Sequence, residues 1–190
     1  EQGNDYMGNW IRELTKGDRA QLCGEVNSRV GSFLETWPPL EKRWKPMLET
    51  PIRVELAKGK VVLSGKVDLT LGSAGGNTAG KVIVDFKTGK FSPSHRDDLR
   101  FYALLDTIRI GVPPRLVASY YLDQGEFSPE EINLDVLEST IARVSNGITR
   151  LAEIHLKIRP PSTQPGPPCR WCLLSQDCED GQEYLADNSD

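Results

Sequence analysis

Two short acidic segments in the middle of the chain carry the residue types that could do chemistry. The first is Gly65–Asp68 (GKVD), and the second is Val84–Gly89 (VDFKTG). Because side chains alternate along a strand, Asp85 and Lys87 project from the same face. If the two segments form a hairpin, Asp68 can join them. Two carboxylates can share a hard divalent cation such as Mg²⁺, and a lysine beside it can orient water or offset charge that develops on a phosphate.

These segments resemble the PD-(D/E)XK nuclease superfamily, and within it the RecB-like exonucleases. That branch has a G-x-x-D strand followed by a D-x-K strand that often continues with Thr-Gly, and residues 65–68 and 85–89 match both. The D-x-K triplet alone also arises by chance on solvated strand faces. The resemblance implies a metal-dependent DNA nuclease in which Asp68, Asp85 and the backbone carbonyl of Phe86 hold Mg²⁺ or Mn²⁺. Lys87 would position or activate the attacking water.

The sequence departs from the family pattern at two places. RecB-like exonucleases often have a metal-binding histidine on the first helix, whereas this chain offers Glu25 and Asn27 there, and we expect Glu25 to be the substitute ligand. The family also tends to have a glutamine three or four residues before a tyrosine on the helix that follows D-x-K. Tyr102 is present, but no glutamine stands at that spacing, and Asp98 is the residue four positions before it. Tyr102 could contact a phosphate as part of the catalytic site, and a core tyrosine is the alternative.

The four cysteines form a second pattern, with Cys23 alone and Cys169, Cys172 and Cys178 close together after the proline-rich run 160–168. In a reducing compartment, cysteines in such a pattern bind metal more often than they form disulfides. Structural zinc usually takes two close pairs of ligands, and four thiolates also suit a [4Fe–4S] cluster. The one-plus-three split resembles the iron–sulfur nucleases, namely the AddB nuclease domain and the Cas nuclease of CRISPR spacer acquisition. That resemblance implies a structural [4Fe–4S] cluster on these four cysteines, with zinc as the alternative.

Length and composition fit one globular domain. The chain has 190 residues, of which 38% are apolar and 26% charged, enough to bury a sizeable core. We expect a single nuclease domain over residues 1–190, with a core at 17–158 and a cysteine-cluster tail at 159–190 that closes on Cys23. Because the first residue is Glu1, we also expect the sequence to be trimmed or a fragment.

The charge distribution bears on nucleic-acid binding. A formal net charge of −4 counts against it, because proteins that bind DNA are commonly basic. However, Lys90, Arg96 and Arg100 follow the D-x-K segment closely, where a phosphate backbone would need positive charge. We therefore predict that these three residues bind nucleic acid, and a solvated loop and helix face is the alternative.

Hydrophobic periodicity predicts an α/β fold with the element order α-β-β-β-α-β-α. Such an order corresponds to a restriction-endonuclease-like core, a mixed central sheet flanked by helices, with a C-terminal cysteine-rich tail. Along the segment from Val61 to Leu71, the odd-numbered apolar residues are expected to share the core face. The predicted elements are a helix at 19–37, strands at 52–57 and 61–71, a flexible loop at 72–80, a strand at 81–86, a helix at 94–110, a strand at 115–122 and a long helix at 134–158.

The function predicted from the sequence is a cytoplasmic deoxyribonuclease, an exonuclease of DNA repair, recombination, or CRISPR or phage DNA processing. Its partners would be single-stranded or end-containing DNA and a helicase or a CRISPR-adaptation protein. No secretory signal, membrane span or G-x-x-x-x-G-K-[ST] loop is found in the sequence. Two alternatives remain: a catalytically weakened nuclease fold that binds DNA or serves as a scaffold in a helicase–nuclease complex, and a cysteine–zinc interaction domain.

Overall fold

The computed structural model describes residues 6–74 and 80–188. The chain divides into two compact units, within residues 1–144 and 145–190, so the single domain expected above stays a prediction. The main elements are α1 (Tyr6–Glu13), α2 (Lys16–Thr36), β1 (Met47–Leu56), β2 (Val61–Leu71), β3 (Val82–Lys87), α3 (Pro93–Ile110), β4 (Leu116–Tyr121), β5 (Glu126–Glu131), α4 (Leu134–His155) and α5 (Glu179–Asp187).

The first unit contains a five-stranded sheet in the order β1-β2-β3-β4-β5. β3 and β4 run parallel, and the other neighbouring strands are antiparallel. Parallel neighbours need a crossover connection, and α3 provides it between β3 and β4. The predicted fold class, a mixed sheet flanked by helices, is confirmed.

Local signals set the helix ends. α2 begins before the predicted residue 19 because Thr15 caps it, its side chain accepting from the backbone N–H of Asp18. α3 follows its N-cap Ser92 and ends at Gly111, whose φ of 84° is the left-handed conformation that glycine adopts readily. α4 ends at His155, three residues before the predicted end.

Among the elements named above, the sequence prediction missed α1, β5 and α5. β5 (EFSPEE) does not alternate cleanly between apolar and polar residues and contains Pro129, which is tolerated because β5 is an edge strand. Residues 75–79 of the predicted flexible loop lie outside the described residues. In the described part of the chain, no helix has the length and apolar character needed to cross a bilayer.

The sheet has apolar clusters on both faces. One contains Val67 and Ile83 with residues of α3, and the other contains Leu69 and Val84 with aromatic residues of α2. The expectation that the odd-numbered residues of β2 share one face is therefore wrong. The change of face falls at Asp68, opposite Glu49 of β1, whose φ of 52° interrupts the regular strand.

A buried ion pair ties the start of β3 to α3. Lys81 Nζ lies 2.8 Å from each carboxylate oxygen of Asp106, and both side chains are almost fully buried. This pair helps to fix the position of α3 over the strand that carries Asp85 and Lys87.

Candidate active site

Asp85 and Lys87 lie side by side at the carboxyl end of β3. Lys87 Nζ is 2.8 Å from Asp85 Oδ2, and Asp85 is only 6% exposed. Val84 and Phe86 pack into the cluster on the opposite face. The local geometry therefore follows from strand alternation, as predicted.

Asp68 reaches the same place from β2. The pairing of β2 with β3 ends at Leu69 and Val84. Asp68 and Asp85 are the next residues beyond it, and the Asp68 carboxylate is close enough to act on the charge of Asp85. Asp68 Oδ2 accepts a hydrogen bond of 2.8 Å from the backbone N–H of Phe86. The change of face at Asp68 thus brings the three residues of the predicted site together.

The charges of the site act on one another. Burial raises the pKa of Asp85; the ammonium of Lys87 opposes that rise, and the carboxylates of Asp68 and Asp98 add to it. For Lys87, burial acts to lower the pKa, but hydrogen bonding and attraction to Asp85 and then Asp98 outweigh it, so the pKa is raised. Lys87 is therefore a cation at neutral pH, and it lies beside the negatively charged carboxylates of Asp85 and Asp98.

The carboxylate oxygens of Asp68 and Asp85 suit a hard divalent cation whose remaining ligands are water molecules. One oxygen of Asp85, Oδ2, is buried without a hydrogen bond of good geometry, although Lys87 Nζ lies at ion-pair distance from it. Like-charged carboxylates at one site are stabilised by a cation, and Mg²⁺ commonly uses one or two carboxylates and completes its shell with water. Among residues 6–74 and 80–188, no three His, Cys, Asp or Glu side chains converge closely enough to form a complete protein site.

Glu25 does not supply the missing third carboxylate. It lies on α2, where it accepts from Gln21 Nε2 at 3.1 Å and lies 3.7 Å from Arg29 Nη1. Glu25, Asp68 and Asp85 are all described, and they form no metal-holding group. The expectation that Glu25 replaces the family histidine as a metal ligand is not met by this geometry, because its side chain is engaged along its own helix.

α3 closes one side of the site. Asp98 lies 3.4 Å from Lys87 Nζ, and Tyr102 follows one helical turn later. Burial raises the pKa of Tyr102, and the negative charges of Asp85 and Asp98 raise it further. The Tyr102 ring also packs against the hydrophobic core. Tyr102 therefore lies near the carboxylates of Asp85 and Asp98 and also contributes to the core.

Asp123 is a site-adjacent residue that the sequence prediction missed. It accepts hydrogen bonds from the backbone N–H of Gly89 at 2.7 Å and from Arg29 Nε at 2.6 Å. Asp123 thereby fastens the turn that follows Lys87 to α2. A polar residue just after β4 was the available signal, because the carboxyl ends of parallel strands meet at one edge of the sheet.

The three predicted phosphate-binding residues differ in their surroundings. Lys90 and Arg96 are exposed, and the Arg96 guanidinium lies 5.7 Å from the centre of the Phe91 ring. Arg100 instead makes a two-pronged ion pair with Glu130, at 2.5 and 2.9 Å. Two of its donors are therefore engaged within the protein, and the assignment of Arg100 as a nucleic-acid contact stays a prediction.

The cysteines of the tail lie together in the second unit. Cys169, Cys172 and Cys178 line one cavity of about 650 Å³. At Gly181, an added Cβ would lie 3.3 Å from Cys178 Sγ and 3.6 Å from Cys169 Sγ. Cys23 is an exposed free thiol on α2. In the described residues, neither these cysteines nor any other three candidate ligands are gathered tightly enough to hold a metal ion.

Comparison with known proteins assigns the family. The model of the PD-(D/E)XK nuclease superfamily matches residues 8–179. This chain belongs to that superfamily, whose members hydrolyse phosphodiester bonds and typically use divalent metals. A search of curated proteins finds no match.

Two solved structures are similar to the chain in fold. The crystal structure of SSO0001 has 20% sequence identity and a TM-score of 0.45, with 80% of this chain and 67% of that chain covered. A candidate exonuclease from Eubacterium rectale has 13% identity and a TM-score of 0.49, with 85% of this chain and 61% of that one covered. The chain thus spans about three fifths of the length of the second protein.

Proposed function

We propose that this chain is a DNA nuclease, acting as an exonuclease, that hydrolyses phosphodiester bonds with Mg²⁺ or Mn²⁺. The observation that carries the proposal is the contact between Lys87 and Asp85 beside Asp68, at the end of a buried strand. A partly buried lysine–carboxylate pair next to a second carboxylate is costly to desolvate, and such groups cluster at functional sites. Because the chain belongs to the nuclease superfamily, we propose that the ligand of this site is the phosphate backbone of DNA.

In this proposal, Asp68 and Asp85 hold the cation, with the backbone carbonyl of Phe86 as a further ligand. A divalent cation supplies a polarised water and stabilises the negative charge of the phosphate. Lys87, kept protonated by Asp85 and Asp98, donates a hydrogen bond to the attacking water or to a non-bridging phosphate oxygen. Asp98 keeps the ammonium pointed at that position. Tyr102 forms the wall of the site and offers its hydroxyl to the phosphate.

The test is a cleavage assay on end-labelled single-stranded DNA with Mg²⁺, with Mn²⁺ and with EDTA. We expect Asp85→Asn and Lys87→Ala each to lower the rate roughly 100-fold or more, as when one charge-stabilising group is removed from an active site. Lys60→Ala, an exposed lysine in the β1–β2 turn, is the matched control and keeps full activity. Cleavage by either site variant at the wild-type rate would reject the proposal.

A second function, a nuclease fold that binds DNA without cutting it, is favoured by one observation. Among the described residues, no third carboxylate, histidine or cysteine joins Asp68 and Asp85 in a group that could hold a metal ion, which leaves a sparse donor set for a catalytic metal. Calorimetry with Mn²⁺ separates the two functions. A catalytic site binds Mn²⁺ and loses it in Asp85→Asn, whereas a binding module takes up no Mn²⁺ and leaves DNA intact.

We further propose that the cysteine cavity of the second unit holds a structural metal centre, a [4Fe–4S] cluster with Cys23 as the fourth ligand, or else zinc. The support is that three cysteines line one cavity. Iron and zinc determination on anaerobically purified protein tests this: about four irons per chain favour the cluster, one zinc favours the alternative, and neither metal rejects both.

The cellular setting follows the same proposal. Reduced cysteines suit the cytoplasm, and the helicase or CRISPR-adaptation partner of the sequence prediction remains the proposed context in DNA repair or processing. Co-purification of the tagged full chain would identify such a partner.

A further inference from the structure

A small aromatic cavity lies next to Lys87. It has a volume of about 340 Å³, and Lys90, Phe91, Tyr121, Gln124, Glu126 and Phe127 contribute to its lining. We name it the aromatic pocket. The proposed hydrolysis does not use these side chains, so the pocket needs its own explanation.

The register of the sheet places this pocket beside the candidate active site. Tyr121 is the partner of Lys87 in the parallel pairing of β3 and β4. Neighbouring strands are about 4.8 Å apart, and paired residues project from the same face. A strand of DNA whose phosphate contacts Lys87 therefore has its next nucleotide within reach of Tyr121.

The aromatic rings are held in place and yet exposed. Tyr121 is buried, its hydroxyl is 3.0 Å from His95 Nδ1, and its ring centre is 6.1 Å from that of Phe91. Phe91 nevertheless remains 54% exposed. Large apolar rings left in water at the rim of a concave site are typical of ligand-binding surfaces.

The charge at the pocket suits a polyanion. Lys90 lines it, and the Arg96 guanidinium lies over the Phe91 ring. Neither cation has a carboxylate partner among the described residues, in contrast to Arg100, and Glu126 is the acid that offsets them in part. Exposed aromatic rings beside unpaired cations are the combination by which proteins bind single-stranded nucleic acid.

We infer that the aromatic pocket binds one unpaired base of a DNA strand, stacked on Phe91, while Lys90 and Arg96 contact the flanking phosphates. The inference rests on the proposed function for its ligand class and adds a substrate preference, because a paired base in a duplex cannot enter the pocket. The chain thus selects single-stranded DNA through stacking at this position.

The test measures binding without cleavage. An oligothymidylate with one 2-aminopurine is titrated with the full chain in EDTA, and 2-aminopurine fluorescence reports stacking. We expect Phe91→Ala to weaken binding about 5- to 100-fold and to abolish the quenching, since one stacked base contributes roughly that much. Phe91→Trp should restore both, whereas Phe91→Leu, which keeps apolar volume without an aromatic ring, should not.

Trp10→Ala, which removes another exposed aromatic side chain (42% exposed), is the control and should bind as the wild type does. A wild-type protein that does not bind the oligonucleotide, or a Phe91→Ala or Phe91→Leu variant that binds as tightly as wild type, would overturn the inference. If binding follows the expected order but the wild type cuts no DNA with Mg²⁺ or Mn²⁺, the pocket stands and the proposed nuclease activity fails.

Discussion

The ring of Tyr102 lies directly against the backbone of Gly65. A Cβ added to Gly65 would meet Tyr102 Cε1 at 2.6 Å, closer than carbon atoms pack. The first residue of the G-x-x-D segment is therefore a glycine because a tyrosine of α3 occupies the space of its side chain. The contact links the strand that bears Asp68 to the helix that bears Asp98.

We predict that Gly65→Ala destabilises the protein by about 1–3 kcal/mol, the usual cost of overpacking. In urea unfolding, Tyr102→Ala in the same chain should remove most of that penalty, because the clash needs both side chains. Gly31→Ala is the control: nothing lies within 4 Å of its added Cβ, so alanine in this helix should stabilise by up to about 1 kcal/mol. An equal cost of Gly65→Ala with and without Tyr102 would contradict the explanation.

The Lys81–Asp106 pair predicts a strong asymmetry between single and double substitutions. Removal of one partner leaves a buried charge, so Asp106→Leu should lower the free energy of unfolding by about 3–5 kcal/mol. The double variant Lys81→Met with Asp106→Leu should recover most of this loss, since two apolar side chains leave no charge to bury. Arg109, also 3.1 Å from Asp106, is partly exposed and can turn to solvent. Thermal unfolding of the wild type, Asp106→Leu, Lys81→Met and the double variant measures the difference, and additive losses would refute the prediction.

The position of Lys87 predicts a modest effect of Asp98 on the proposed cleavage. Asp98 helps to raise the pKa of Lys87 and lies 3.4 Å from its Nζ, but it is largely exposed, and exposed pairs contribute about 0.2–1 kcal/mol. Asp98→Ala should therefore lower kcat about 2- to 5-fold with little change in KM. Asp98→Asn, which keeps an acceptor for the ammonium, should lie closer to wild type. A loss as large as that of Asp85→Asn would assign Asp98 a more direct role.

The different surroundings of the basic residues predict two kinds of variant. Lys90→Ala and Arg96→Ala should each weaken binding of single-stranded DNA and reduce the slope of log affinity against log salt by about 0.7. Arg100→Ala should leave that slope unchanged. It should lower the free energy of unfolding, because the partly buried Glu130 loses its ion-pair partner. Binding titrations at several salt concentrations, with urea unfolding alongside, check both results. A reduced salt slope in Arg100→Ala would show that this residue contacts phosphate.

The turn after Lys87 should show a pH-dependent contribution from Asp123. The hydrogen bond from Arg29, followed by that from the Gly89 N–H, lowers the pKa of this carboxyl. A lowered folded-state pKa means that the stabilisation is complete above the unfolded value of about 3.9 and is lost as the pH falls through the folded value. In urea unfolding, Asp123→Asn should be less stable than wild type at pH 7, and the gap should close in strong acid. A gap that is independent of pH would show that charge is not the cause.

Much of this arrangement can be predicted from local sequence, because local rules govern it. Alternation along β3 is enough to place Asp85 and Lys87 together, and Ser92 and Gly111 mark the ends of α3. The hairpin of β1 and β2 follows from two alternating segments joined by a short turn that contains Gly59. These features depend only on backbone geometry within a few residues.

Tertiary structure decided the rest. The change of face at Asp68, which brings it to Asp85, lies opposite Glu49 of the neighbouring strand with its positive φ, and alternation along β2 alone predicts a different grouping of its apolar residues. The engagement of Arg100 by Glu130, of Glu25 along its own helix, and of Gly89 by Asp123 likewise depends on which side chains meet. Residue types and spacing determine which chemistry is available, whereas long-range packing determines which of the candidate groups face one another and which are already occupied by a partner.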